Sequence, residues 1–156
     1  MDTLRLPWTA YIPHRPTPKQ LAFLLLENPE ALYGGAAGGG KSDALLMAAL
    51  QYVDQPGYAA LLLRRSYTDL ALPGALMDRA KEWLMPTDAK WSDHRKTWAF
   101  PSGATLTFGY LEHLGDEYRY QSTEFQMIGF DELTQFEETH YRYMFSRLRR
   151  LKDSTA

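Results

Sequence analysis

Residues Gly35, Ala36, Ala37, Gly38, Gly39, Gly40, Lys41 and Ser42 fit the pattern G-x-x-x-x-G-K-[ST] at every fixed position. Glycines reach backbone conformations closed to other residues, so successive N–H groups can curl around a phosphate while the following helix presents its positive N-terminal end to the same anion. In that arrangement Lys41 reaches the β and γ phosphates of a nucleotide such as ATP, and the Ser42 hydroxyl becomes a ligand for Mg2+. The bland alternative, a flexible glycine linker, leaves Lys41, Ser42 and the apolar segment after them unexplained. A dinucleotide fingerprint is excluded, because the frame G-x-G-x-x-G starting at Gly38 needs glycine at position 43 and finds Asp43.

A second pair of residues fits the same chemistry. The mostly apolar segment 125–130 leads directly into Asp131 and Glu132, and the carboxyl ends of strands are where open α/β sheets bind ligands. Asp131 is placed to hold the metal, usually through water, while Glu132 points the other way and can orient and deprotonate an attacking water. A second acid favours hydrolysis over transfer to another substrate. The competing reading makes Asp131 a helix cap and Glu132 a first-turn residue.

These residues need a scaffold, and the chain supplies alternating elements. Residues 1–16 carry Pro7, Pro13 and Pro16 and read as an extended arm. Thr17 as N-cap and Pro18 at the first helical position open a helix that Asn28 and Pro29 stop. Strands are expected over 31–35, 59–63 and 125–130, and helices over 41–54, 73–84 and 136–148. Residues 97–100 and 105–108 bracket the turn-forming Pro101, Ser102 and Gly103, which predicts a hairpin. The alternation predicts an α/β domain with a mainly parallel central sheet flanked by helices.

Composition narrows the classes further. The 156 residues include no cysteine and four scattered histidines, so disulfides and thiolate zinc are excluded and any metal is held mainly through oxygen. A hydrophobic share of 45% suits one globular domain, and no apolar run approaches the length of a membrane span. The net charge of −2 excludes an overall basic coat. A local basic patch remains at the C-terminal end, with Arg142, Arg147, Arg149, Arg150 and Lys152.

The order of these motifs resembles a family. Pro18-Lys19-Gln20, the run from Gly35 to Ser42, Leu61 to Tyr67 with Arg64 and Arg65, Tyr120-Gln121-Ser122, and Ile128 to Phe136 together resemble the ATPase domain of the large terminase subunit of tailed bacteriophages. The resemblance runs from about residue 16 to 150. It implies a P-loop NTPase of the type with an additional catalytic glutamate, hydrolysing ATP with Mg2+ to drive double-stranded DNA into an empty capsid. It also implies a homo-oligomeric ring docked on the prohead portal in the host cytoplasm, with the portal protein and small terminase subunit as partners. Gln20 matches the glutamine that recognises adenine in this family; an exposed helix residue is its bland alternative.

Ring ATPases complete the site with an arginine from a neighbouring subunit, whose cation stabilises charge developing on the γ-phosphate. Arg119, in a polar turn-rich stretch, is the first choice, with Arg64, Arg142 and Arg147 as alternatives. Arg64 ends a strand and could instead sense phosphate within its own subunit. The basic C-terminal residues could contact DNA phosphates without sequence preference, or form a solvated helix face. The chain ends at Ala156, before the coupling strand, the rest of the sheet and the nuclease domain that the resemblance implies, so residues 17–156 read as an ATPase domain cut short. A helicase-like motor of the same core, or a non-catalytic nucleotide-binding or oligomerisation fragment, are the rival readings.

Overall fold

The computed structural model of the chain describes residues 6–26, 31 and 40–150. Helix α1 spans Pro18–Leu24, and it begins where its capping residues require. The Thr17 hydroxyl accepts from the Gln20 N–H while the Gln20 side-chain oxygen accepts from the Thr17 N–H, so two otherwise unpaired donors are satisfied reciprocally. Helix α2 follows at Lys41–Leu50 and strand β1 at Ala59–Arg64. A short helix α3 at Tyr67–Leu70 and a longer α4 at Leu76–Leu84 lead to β2 at Lys90–Ser92, β3 at Thr97–Ala99 and β4 at Thr105–Tyr110. Strand β5 at Met127–Phe130 precedes α5 at Glu138–Phe145, and single 3₁₀ turns cover Asp116–Tyr120 and Leu133–Gln135.

Among the described residues, five strands form one sheet in the order β2-β3-β4-β1-β5. Strand β1 pairs parallel with β4 and with β5, while β2, β3 and β4 form an antiparallel meander. The sheet is therefore mixed, which corrects the expectation of a mainly parallel one. The cause is the predicted hairpin: β3 and β4 do pair across residues 100–104, and β3 recruits β2 as a further antiparallel strand. Strand β2 is only three residues long with one large apolar side chain, Trp91, too little to show a period of two.

Other boundaries are shorter than periodicity suggests. Residues 51–54 and 73–75 form turns, and α5 covers only part of 136–148. The four-residue α3 was not expected; it follows Ser66, whose hydroxyl accepts from the Asp69 N–H. Of the strand expected over 31–35, only Ala31 lies among the described residues, outside any element.

Helices cover both faces of the sheet, because β1 points alternate residues to opposite sides. Ala60 and Leu62 join the larger core with Leu46, Met47 and Leu50 of α2, and Leu76 and Leu84 of α4. Leu61 and Leu63 join the smaller core with Tyr120, Phe125 and Met144. Residues 6–16 hold no helix or strand but are packed: Ile12 enters the larger core, and the Thr9 hydroxyl donates to the Leu50 carbonyl at 2.8 Å. Among the described residues, no helix is long and apolar enough to cross a membrane.

Candidate functional site

Parallel pairing of β1 with β5 brings two charged residues together. The register sets Leu63 opposite Phe130, and the Asp131 N–H donates to the Leu63 carbonyl at 2.9 Å, continuing the ladder one step. Arg64 and Asp131 thus leave adjacent strands at the same end. Arg64 Nη1 lies 2.8 Å from Asp131 Oδ2, with side-chain exposures of 16% and 4%.

Helix α2 supplies the third member. The Ser42 hydroxyl lies 3.3 Å from both Asp131 oxygens. Gly129 suits this close approach: a Cβ there would stand 2.6 Å from a Leu62 methyl of β1 and 3.1 Å from a Leu45 methyl of α2, so both side chains would have to shift.

Gln20 and Gly40 fix the entry to α2. Gln20 is buried, and its Nε2 donates to the Gly40 carbonyl at 3.0 Å while its oxygen serves the α1 cap. Gly40 has φ +78, and a Cβ on it would meet Gln20 Nε2 at 2.6 Å. Gly40→Ala combines left-handed strain with that collision and should lower stability by about 1–2 kcal/mol. Thermal unfolding measures it, and a variant as stable as the wild type would contradict the placement of Gln20 on the loop.

Lys41 is the first residue of α2 and is partly buried. The α2 N-cap contributes no side-chain hydrogen bond. Gly35, Ala36, Ala37, Gly38 and Gly39 lie outside the described residues.

Asp131 and Glu132 part company at the strand end. Asp131 is buried, whereas Glu132 is exposed, with φ +59 and ψ +55, in the left-handed region that costs a non-glycine residue about 1–2 kcal/mol. The backbone reversal aims two adjacent carboxylates into different surroundings. Its carbonyl accepts from the Gln135 N–H, closing a 3₁₀ turn where an Asp131-capped helix was the alternative.

Arg119 sits at the same end of the sheet, beyond β4. Its Nη2 donates to the Tyr110 carbonyl at 2.9 Å, its guanidinium stacks 4.3 Å from the Tyr110 ring, and Asp116 lies 3.4 Å away. Asp116 also accepts from the Glu112 and His113 N–H groups. The His113 N–H, with that of Glu112 and the Arg119 charge, holds the Asp116 carboxyl below the usual range. A depressed carboxyl stabilises the folded form above its unfolded pKa of about 3.9 and loses that contribution as pH falls through the lower folded value. Protection of the Glu112 and His113 amides, taken against the intrinsic exchange rate at each pH, should therefore be high at neutral pH and fall below about pH 4, and Asp116→Ala should lack that protection at neutral pH. Equal protection in variant and wild type would remove Asp116 as the anchor of this segment.

Arg65 and three arginines of the basic C-terminal end are engaged within the chain. Arg142 pairs with Glu138 and Arg149 with Glu124, while Arg147 donates to the Gln121 carbonyl. Arg65 donates to the Leu111 and Glu112 carbonyls. Lys152 lies outside the described residues.

Ser42 and Asp131 fit a hard cation. Magnesium takes oxygen ligands in an octahedron at 2.0–2.1 Å, whose neighbouring ligands are about 2.9 Å apart, close to the 3.3 Å separating these oxygens. Among the described residues no group of three or more His, Asp or Glu side chains is placed to hold a metal ion.

An α/β domain whose carboxyl strand ends gather a hydroxyl, a carboxylate and a guanidinium beside the opening of a helix is the class that fold and site define. The chain belongs to the terminase large-subunit family: residues 32–155 match the family model for the terminase large subunit, T4likevirus-type, N-terminal. Membership points to a role in phage DNA packaging. Gln20 and Thr17 lie before the matched residues. No curated protein and no solved structure matched the chain.

Proposed function

We propose that the chain is the ATP-hydrolysing motor domain of a phage DNA-packaging terminase, with a P-loop at Gly35 to Ser42. The observation that carries this reading is the convergence of Ser42, at the opening of the helix after the glycine run, on Asp131, 89 residues later in sequence, at the carboxyl end of β5.

Each residue then has a task. The backbone N–H groups of Gly35, Ala36, Ala37, Gly38, Gly39 and Gly40 bind phosphate oxygens, and Lys41 adds a charge-assisted contact to the β and γ phosphates. Ser42 and Asp131 hold Mg2+, which when bound neutralises charge on the phosphate oxygens. Glu132, exposed and turned away from Asp131, orients water and takes its proton. Gln20 keeps one amide hydrogen and one oxygen lone pair beyond the bonds to Gly40 and Thr17, and these can read the adenine edge. Arg119, half exposed at the same end of the sheet, serves a neighbouring copy's phosphate in a ring. Double-stranded DNA, the portal and the small subunit are the partners of that assembly, which works in the host cytoplasm on the prohead.

Titrating ATP into the full chain with and without magnesium tests the reading. Saturable binding that magnesium strengthens supports it, and no binding in either condition overturns it. The family match favours a packaging motor over a helicase.

A further inference from the structure

The Asp131 carboxylate already has a resident cation. Arg64 Nη1 lies 2.8 Å from Oδ2, and the Ser42 hydroxyl lies 3.3 Å from both oxygens, longer than a committed O–H···O bond. Arg64 Nε is buried with no hydrogen-bond partner. Among the described residues the guanidinium is thus held through Nη1, and its Nε is an unsatisfied donor. Its neighbour Arg65 is tied to two backbone carbonyls.

We propose that Arg64 is the standing counter-ion of Asp131 and bars free divalent metal from the site, so that metal enters only together with a polyphosphate. The inference rests on the reading of Ser42 and Asp131 as the metal-holding pair. A buried carboxylate without a partner is costly, so Asp131 needs a cation whenever no metal is bound. With Arg64 in place the pair is neutral, and a bare dication arriving beside the guanidinium meets repulsion that water screens poorly at this depth. A polyphosphate reverses the balance. It brings negative charge and paired oxygens that suit the planar fork of arginine, and Arg64 exchanges the carboxylate for phosphate, satisfying its Nε as it goes. Arg64 is thus the carboxylate's counter-ion before nucleotide arrives and a phosphate-binding residue afterwards. The consequence for function is that metal and nucleotide bind as a unit.

Manganese followed by electron paramagnetic resonance probes the metal alone, on the full chain and without nucleotide. Arg64→Met should bind Mn2+ at least about tenfold more tightly than the wild type, and Arg64→Lys, which keeps the charge, should stay near the wild type. A thermal-stability double-mutant cycle of Arg64→Met with Asp131→Asn covers loss of fold in the single variant, because the double variant leaves no unpaired carboxylate. Coupling between the two positions should be present without ligand and disappear with magnesium and a non-hydrolysable ATP analogue. Equal Mn2+ affinity in wild type and Arg64→Met, or coupling that the analogue leaves unchanged, overturns the proposal. If the wild type binds no analogue with magnesium, the nucleotide reading itself falls, and this inference with it.

Discussion

Glu132→Gln is expected to bind magnesium and ATP as the wild type does, and to release phosphate at least about 100-fold more slowly in the presence of portal and DNA. The substitution preserves shape and removes only the ability to take a proton. Glu132 is exposed and its side chain makes no capping bond to the turn that follows, so the exchange leaves the surrounding packing intact. The left-handed backbone supplies a second handle on the same residue. Glycine adopts φ +59 without penalty, so Glu132→Gly should raise stability by about 1 kcal/mol while hydrolysis is lost. A residue that is strained in place and whose removal stabilises the chain is one retained for chemistry. Normal turnover by Glu132→Gln would show that another group is the base.

Lys41→Ala is expected to weaken ATP binding by about 100-fold or more, through loss of a charge-assisted contact to phosphate. Stability should barely change. Lys41 is the first residue of α2 and only partly buried, and alanine is the better helix former. Calorimetric titration beside a thermal melt separates the two effects. Unchanged affinity would sever the glycine run from nucleotide, whatever the fold.

Much of the site is legible in local spacing. Lys41, Ser42, Asp131 and Glu132 announce themselves because each belongs to a short run with a defined neighbour, and the helix after the glycines and the strand before the acids are both strongly apolar. Gln20 is legible as a residue of interest, yet its bond to Gly40 is not, since it joins a capping box to a loop twenty residues away. The Arg64–Asp131 pair is hidden for the same kind of reason. Each residue ends an apolar strand, but only the parallel register of β1 on β5 makes them neighbours. Arg64 therefore reads from sequence as one of several loose cations.

The fold shows the same division between local and non-local signals. Capping chemistry at Thr17 marks the start of α1 to the residue, though α1 ends at Leu24, short of the Asn28 and Pro29 expected to stop it, and the hairpin around Gly103 is visible in its turn residues. The outermost strand of the antiparallel meander is not visible, because β2 has three residues and its pairing with β3 supplies what its own pattern lacks. The positive φ at Glu132 has no sequence signal either; a glycine or asparagine would advertise such a turn, and a glutamate does not.

On the proposed reading, Ser42, Asp131 and Glu132 form one hydrolytic site driving a packaging motor. Phosphate release from ATP by the full chain, with magnesium, double-stranded DNA and portal, compared between wild type and Glu132→Gln, tests it most directly. Portal and DNA should stimulate release in the wild type, and Glu132→Gln should lack it. Tight nucleotide binding with no release in the wild type under those conditions would contradict it and make the chain a binding module.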